Sequence, residues 1–328
     1  MTASRRRRRL ANRQRRRMRR WALRGLTAAF LGVATWFSVR YALTVDWPGV
    51  GRSIAAMPGP LLLQAAAVAA ASHAVYSCFD LLGRHYTGHH LPLRQVMAVN
   101  FVAYAFNLNM GSLVGSVGFR YRLYTRLGLK AAVIARVMTL SMLTNWLGYF
   151  VLAGGLFLLV PPPLPPGWAL GTPGLQALGA GLLGLAAAYL WLCLRARRRE
   201  FTLRGHTLVL PPARLAAIQV ALSCLNWSLM GALMAVLLQG RVELSTVLAV
   251  VLIAAVAGLM AHVPAGLGVL EAVFVALLSH RVPVTQLLGA VLVYRALYYL
   301  LPWALATALY LWMESHPRPP RPGGKRPA

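Results

Sequence analysis

Residues 131–160 read AAVIARVMTLSMLTNWLGYFVLAGGLFLLV and carry one charged side chain, that of Arg136. A helix needs about 20 mostly apolar residues to cross the hydrocarbon core of a bilayer, and this run exceeds that length. Similar runs recur from Trp21 to Met313, separated by short polar or proline-rich segments. In the whole chain 58% of residues are hydrophobic and 12% are charged, whereas soluble domains carry about 25% charged residues. The chain is therefore predicted to be a polytopic integral membrane protein.

The predicted fold class is all-α, because the unpaired backbone groups of an open sheet find no partner in lipid. We expect a membrane helix bundle with about seven to eight spans and two interrupted, re-entrant segments. One transmembrane domain, residues 21–313, lies between a basic arm (1–20) and a basic tail (314–328), both predicted to be disordered. The uninterrupted spans are predicted at residues 21–43, 60–83, 131–160, 175–194, 215–238 and 284–313.

Basic residues cluster at the edges of the predicted spans. The formal net charge is +28, and eleven arginines lie between Arg5 and Arg20. Basic residues beside a span mark the cytoplasmic side and attract anionic lipid. We therefore predict a multi-pass protein of the bacterial cytoplasmic (inner) membrane with both termini in the cytoplasm. Nucleic acid is not an expected partner, because each basic cluster abuts a span.

The stretch 95–118 is apolar enough to enter the membrane, yet Arg120, Arg122, Arg126 and Lys130 follow it. A complete crossing would place these four bases outside, which the positive-inside rule disfavours. Glycines within the stretch also weaken a continuous helix. Both facts predict a re-entrant hairpin that enters and leaves at the cytoplasmic face and lines a cavity. The glycines expected to shape its backbone are Gly111, Gly115 and Gly118.

A second break interrupts the apolar run 244–280. It reads HVPAGLG and supplies His262, Pro264, Gly266 and Gly268. It predicts either a second hairpin, entered from outside, or two tightly joined segments. Two interrupted segments, one in each half, are typical of transporters built as inverted repeats with the site at the repeat interface. The two halves share too little residue identity for the sequence to establish a duplication.

Few ionisable residues lie within the predicted membrane region, where they are costly and usually face a cavity or a partner. The acids are Asp80, which could instead snorkel to the interface, and Glu271, which could instead form a structural salt bridge with Arg295. His262 lies beside the second break, where a proton relay or a buried core histidine is expected. An excess of guanidinium groups over carboxylates favours an anionic ligand such as a lipid phosphate. The bases in question are Arg120, Arg122 and Arg136, for which snorkelling is the alternative, and Arg295.

No enzyme signature is present in the sequence: there is no G-x-S-x-G, H-E-x-x-H or P-loop pattern and no cluster of carboxylates for a metal. We therefore expect neither a catalytic site nor a cofactor nor a metal. Intramembrane enzymes use sparse sites, so an intramembrane enzyme stays a third option.

Four segments carry a family resemblance: NLNMGSLVGSVGFRYRLY (107–124), TNWLGY (144–149), HVPAGLGVLE (262–271) and YRALYYLLP (294–302). Together they resemble the lysylphosphatidylglycerol synthase transmembrane (flippase-domain) family, and most of all its stand-alone proteobacterial inner-membrane branch. The resemblance implies a role in binding or moving a lipid across the cytoplasmic membrane. It also draws attention to Tyr294 beside Arg295. Since about 15 residues follow the last predicted span, we expect no aminoacyl-transferase domain and no lysyl transfer by this chain.

The leading hypothesis is a protein that binds and translocates an anionic phospholipid or lipid phosphate. The headgroup would lie between the two interrupted segments, with arginines on the phosphate and Glu271 setting polarity or coupling. The alternative is a non-transporting accessory subunit, whose partner would be a phospholipid synthase. The sequence assigns no cargo, direction, driving force or oligomeric state.

Overall fold

The computed structural model describes residues 45–162, 164, 171–195, 200–203, 206–261 and 266–316. The predicted arm, the predicted span 21–43 and most of the predicted tail lie outside these residues, as do His262 and Pro264. The chain divides into two units, Met1–Gly49 and Val50–Ala328. The fold described below is that of the second unit, except that its first helix begins three residues earlier, at Trp47.

Helices make up almost all of the described residues. Six stretches are long and apolar enough to cross a membrane: Gly59–Thr87, Ala131–Leu159, Gly171–Arg195, Ala213–Leu237, Leu244–Ala261 and Val284–Ser315. This confirms the predicted all-α, polytopic fold class. The helices are α1 (Trp47–Ala55), α2 (Gly59–Ser77), α3 (Phe79–Thr87), α4 (Leu93–Met110), α5 (Arg120–Arg126), α6 (Ala131–Leu159), α7 (Gly171–Arg195), α8 (Ala213–Leu237), α9 (Leu244–Ala261), α10 (Val269–Leu278), α11 (Val284–Arg295) and α12 (Leu301–Ser315). Two π-helical segments, π1 (Ser112–Phe119) and π2 (Ala296–Leu300), complete them.

A two-stranded antiparallel sheet, which we did not predict, lies in the polar segment between α7 and α8. Strand β1 (Glu200–Leu203) pairs with β2 (His206–Val209), so that Glu200 lies opposite Val209. Phe201, Thr202 and Thr207 are residue types that favour strands. The pair lies between spans and leaves the helical class of the protein unchanged.

The predicted hairpin in the first half consists of α4, π1 and α5, hereafter hairpin 1. Helix α4 ends at Gly111, which has φ +82°, a backbone conformation that only glycine adopts readily. The chain then runs back along α4: Gly115 packs on the backbone of Asn107, and Arg120 contacts Asn100. Gly115 leaves no room for a side chain, whereas a methyl group at Gly118 would make only an ordinary contact, 3.6 Å from Leu113 O.

The second break is also a hairpin, formed by α9 and α10 and hereafter called hairpin 2. Arg241, which precedes α9, bonds to Gln286 at the start of α11. The chain between them therefore leaves one end of the bundle and returns to it. Gly266 and Gly268 both have positive φ, 56° and 78°, where the chain turns into α10. Of the two alternatives for this break, the structure shows the hairpin.

The two hairpins enter the bundle from opposite ends of the last long helix, Val284–Ser315 (α11, π2 and α12). Arg122 and Arg126, at the close of hairpin 1, pair with Glu314 at the end of that helix; hairpin 2 opens at its start. We call the end with Arg122 and Arg126 the basic end. Leu93 and Leu244 begin the two hairpins, 151 positions apart, and each first arm has 18 residues. In each half a long helix precedes the hairpin and another follows it, as expected of an inverted repeat.

Candidate functional site

The tips of both hairpins reach the same turn of the last helix. Asn109, beside the tip of hairpin 1, donates from Nδ2 to Tyr299 O at 3.2 Å. Arg295 donates from Nη2 to Gly266 O, at the tip of hairpin 2, at 2.8 Å. Residues 295–299, which we call the central turn, therefore form the meeting point of segments that enter from opposite ends. An interface of this kind is where transporters with inverted repeats place their sites.

A backbone carbonyl of the central turn can accept a hydrogen bond from another helix because the regular hydrogen bonding of the last helix is interrupted here. Pro302 has no N–H, so the carbonyl of Tyr298 lacks the partner that a regular helix would supply. His73 Nε2 takes its place and donates to Tyr298 O at 3.1 Å, since a carbonyl only accepts. The helix passes through the π-helical segment π2 at this point, and such segments are frequent at functional sites.

An ion pair lies at the junction of hairpin 2 and the central turn. Arg295 holds Glu271 in a bidentate arrangement, with Nε to Oε1 at 2.5 Å and Nη2 to Oε2 at 3.0 Å. The side chains are 9% and 15% exposed. Glu271 is the third residue of α10, where the positive end of the helix dipole favours a carboxylate. Arg295 also lies over the ring of Tyr299, 5.5 Å from its centroid.

Exposed apolar side chains lie close along the chain to the hairpin tips and the central turn. Leu113 follows the tip of hairpin 1 and is 81% exposed; Leu267 in the tip of hairpin 2 and Leu300 in the last helix are more than half exposed. The ion pair and the exposed leucines offer partners for the two parts of a phospholipid, the headgroup and the acyl chains. The arrangement is thus chemically suited to an amphipathic ligand.

A buried polar network lies behind the central turn and joins four elements. The hydroxyl of Tyr298 bonds to that of Tyr104 on hairpin 1 and to that of Ser72 on α2, both at 2.9 Å. Ser72 donates in turn to Asn226 Oδ1 on α8 at 2.8 Å. None of the three hydroxyls is among the site residues predicted from the sequence. The signal was present in the YRALYYLLP segment, where Tyr298 lies four residues before Pro302.

Arg120 and Asp80 form a second ion pair, away from the hairpin tips. Arg120 Nε lies 3.0 Å from Asp80 Oδ2, and the side chains are 1% and 0% exposed. The guanidinium also donates to Ser116, Asn100 and Ser141. Asp80 is thus paired within the protein and does not snorkel. These contacts fasten the returning arm of hairpin 1 to α3, α4 and α6.

The remaining predicted site residues lie in three places. Arg122 is 61% exposed and pairs with Glu314 at 2.5 Å, and Arg136 is exposed in the second turn of α6. Tyr294 is buried and stacks on Tyr298, with 5.4 Å between ring centroids. The structure therefore brings Glu271, Arg295, Tyr294, Gly266 and Gly268 to the central turn, with Gly111 at the opposing tip.

The expected excess of arginine over carboxylate near the membrane region is smaller than the sequence indicated. Arg120, Arg295 and Arg122 each have a carboxylate partner. The sequence count left out Glu314, because it falls just beyond the predicted end of the last span. The last helix in fact continues to Ser315.

The sequence model of the lysylphosphatidylglycerol synthase transmembrane region matches residues 9–306 of the chain. The chain belongs to this family. Its relatives include the inner membrane protein YbhN of Escherichia coli, 44% identical over 299 residues, which are 90% of this chain and 94% of that protein. The uncharacterized protein slr0712 of Synechocystis is 30% identical over 264 residues, 80% of this chain and 82% of that protein. The family match includes both hairpins and the central turn.

Proposed function

We propose that this family member is a multi-pass inner-membrane protein that binds a phospholipid at the hairpin tips and translocates it across the bilayer. The Arg295–Glu271 ion pair carries this proposal, because it is held within a membrane span yet retains exposure. Ionisable groups at such depth are expensive and usually serve a ligand or an ion path. The family and the name of the E. coli relative agree with a membrane lipid role in the inner membrane.

The headgroup phosphate is expected at Arg295. A guanidinium binds phosphate through two parallel N–H groups, which makes arginine a preferred phosphate ligand. The acyl chains would lie against the exposed side chains of Leu113, Leu267 and Leu300 and extend into the surrounding lipid. Because hairpin 1 and hairpin 2 reach the central turn from opposite ends, a headgroup held there lies where segments from both sides of the membrane meet.

The orientation follows from the distribution of charge. The basic end carries Arg122 and Arg126, which pair with Glu314, whereas the described residues at the opposite end include fewer bases. By the positive-inside rule we expect the basic end, and with it the end of the last helix, to be cytoplasmic. The protein itself supplies no catalytic step in this proposal.

Arg295→Gln is expected to lower the rate of phospholipid translocation at least about tenfold, because the phosphate loses its guanidinium partner. The measurement is dithionite quenching of acyl-labelled fluorescent phospholipids in proteoliposomes. Arg122→Gln is the matched control: it removes an arginine that also pairs with a carboxylate, but at the basic end, and should retain the wild-type rate.

The double variant Glu271→Gln/Arg295→Gln separates the ligand role from a purely structural one. It removes both charges, so it should recover most of the thermal stability that Arg295→Gln loses, yet remain inactive. If the double variant regains translocation, the pair is structural and the proposal is overturned. If proteoliposomes with the wild-type protein translocate no phospholipid, and a phospholipid synthase co-purifies with the protein, the accessory-subunit alternative is established instead.

A further inference from the structure

We infer that the site is selective for a zwitterionic headgroup, one that carries a phosphate and an ammonium group, over an anionic one. The inference rests on the proposed function and names its substrate class. It differs from the anionic ligand expected from the sequence, because the structure shows the site's arginine already paired with Glu271. The Arg295–Glu271 pair as a unit has no net charge.

The geometry requires an exchange of partners when a phosphate binds. A guanidinium can bind an oxyanion with two hydrogen bonds at its Nε–Nη2 edge or at its Nη1–Nη2 edge. In Arg295, Nε and Nη2 already donate to Glu271, and Nη2 also donates to Gly266 O, so the shared Nη2 is already engaged on both edges. A phosphate therefore binds the Nε–Nη2 edge only by displacing the Glu271 carboxylate. Because Glu271 belongs to hairpin 2, the same displacement removes two of the hydrogen bonds that join this hairpin to the last helix.

The displaced carboxylate then needs another cation. Within the described residues, Arg295 is the one cation that contacts Glu271. Leaving a carboxylate uncompensated at this depth is strongly unfavourable. An anionic lipid brings no replacement, whereas the ammonium of a zwitterionic headgroup lies next to its phosphate and can pair with Glu271. One internal ion pair is thereby exchanged for two between protein and ligand.

The two ion pairs of the protein differ in a way that supports such an exchange at hairpin 2. Arg120 and Asp80 are 1% and 0% exposed, and Arg120 has three further protein partners. The Arg295–Glu271 pair is more exposed and adjoins Gly266 and Gly268, whose positive φ angles mark a turn rather than a helix. Hairpin 1 is thus held along its returning arm by the contacts of Arg120. Hairpin 2 is held near its tip by the Arg295–Glu271 pair, which is also the pair that would contact the ligand.

The test compares initial translocation rates of acyl-labelled phosphatidylethanolamine and phosphatidylglycerol, whose headgroups are intact, in proteoliposomes. The wild type should move phosphatidylethanolamine at least about tenfold faster, equivalent to about 1.4 kcal/mol. In Glu271→Gln the displaced side chain is neutral and needs no cation. The ratio of the phosphatidylethanolamine rate to the phosphatidylglycerol rate should therefore fall to about one or below one. Glu314→Gln, the same change in a carboxylate at the basic end, should leave the ratio as in the wild type.

The outcomes distinguish this inference from the proposed function. A wild type that translocates both lipids but prefers phosphatidylglycerol, or a Glu271→Gln variant with an unchanged ratio, overturns the zwitterion assignment and leaves translocation standing. A wild type that moves neither lipid overturns the proposed function. Soluble glycerophosphoethanolamine tests the source of the headgroup: inhibition at concentrations similar to the lipid's own would assign the site to a free zwitterion rather than to a lipid.

Discussion

Arg120→Met is expected to destabilise the protein by about 3–5 kcal/mol, because it leaves the carboxylate of Asp80 buried without a cation. Methionine preserves most of the side-chain volume, so the loss reflects charge and hydrogen bonding rather than a large cavity. Ser116, Asn100 and Ser141 lose a partner as well, and Tyr124 then remains as a donor to Asp80, at 2.8 Å. The measurement is the unfolding transition of the detergent-purified protein.

Two further variants identify the cause of that loss. Arg122→Met removes an arginine that is 61% exposed, and exposed ion pairs contribute about 0–1 kcal/mol. This control should unfold almost like the wild type. Asp80→Leu combined with Arg120→Met removes both charges and should recover a large part of the stability, although Asn100 and the two serines still lack their partner. Wild-type stability of Arg120→Met alone would contradict the buried pair.

Gly115→Ala is expected to have the second large effect, through shape rather than charge. A methyl group at this position would overlap the backbone of Phe106 and Asn107 on the facing arm of hairpin 1. Because backbone cannot rotate out of the way as a side chain does, the arms must separate. Overpacking typically costs about 1–3 kcal/mol, and this site should reach at least the upper value, measured as the unfolding free energy in detergent.

Gly118→Ala is the matched control for the shape of hairpin 1. The same methyl group at Gly118 would lie 3.6 Å from Leu113 O, an ordinary contact, and Gly118 does not have a positive φ. Its stability should stay close to that of the wild type. If Gly115→Ala and Gly118→Ala changed the unfolding free energy equally, the close approach of the two arms of hairpin 1 at Gly115 would be contradicted.

The positions of the hairpins could be predicted from the sequence because two local signals agree. The four bases after Gly118 argue against a complete crossing at the first break. At both breaks, glycines within an otherwise apolar run weaken a continuous helix. The structure places these breaks at Gly111 and at Gly266–Gly268. The five predicted uninterrupted spans that fall within the described residues followed from apolar length alone. The sheet formed by Glu200–Leu203 and His206–Val209 was not predicted. Strands of four residues are too short to show the alternation of apolar and polar residues that indicates a strand.

The pairings inside the site could not be predicted with the same success. Asp80 and Arg120 are 40 positions apart and meet only because hairpin 1 folds back along α4. The Arg295–Glu271 contact was foreseen as one alternative, since few carboxylates lie at that depth. The role of Tyr298 depends on the missing N–H of Pro302 and on the position of His73 on α2, which is tertiary information. A count of charges along the sequence therefore overestimated how many arginines near the membrane region lack a carboxylate partner within the protein.

A phospholipid with a photoactivatable group near the headgroup tests the central claim, that lipid binds where the hairpin tips meet the last helix. After irradiation in proteoliposomes, mass spectrometry of the peptides locates the adducts. We expect adducts at Ser112–Leu113, at Leu267 and at Tyr299–Leu300, and their loss in Arg295→Gln. Adducts confined to the outer face of α7, such as Leu178 and Leu185, which are exposed, would show only annular lipid and would contradict the account.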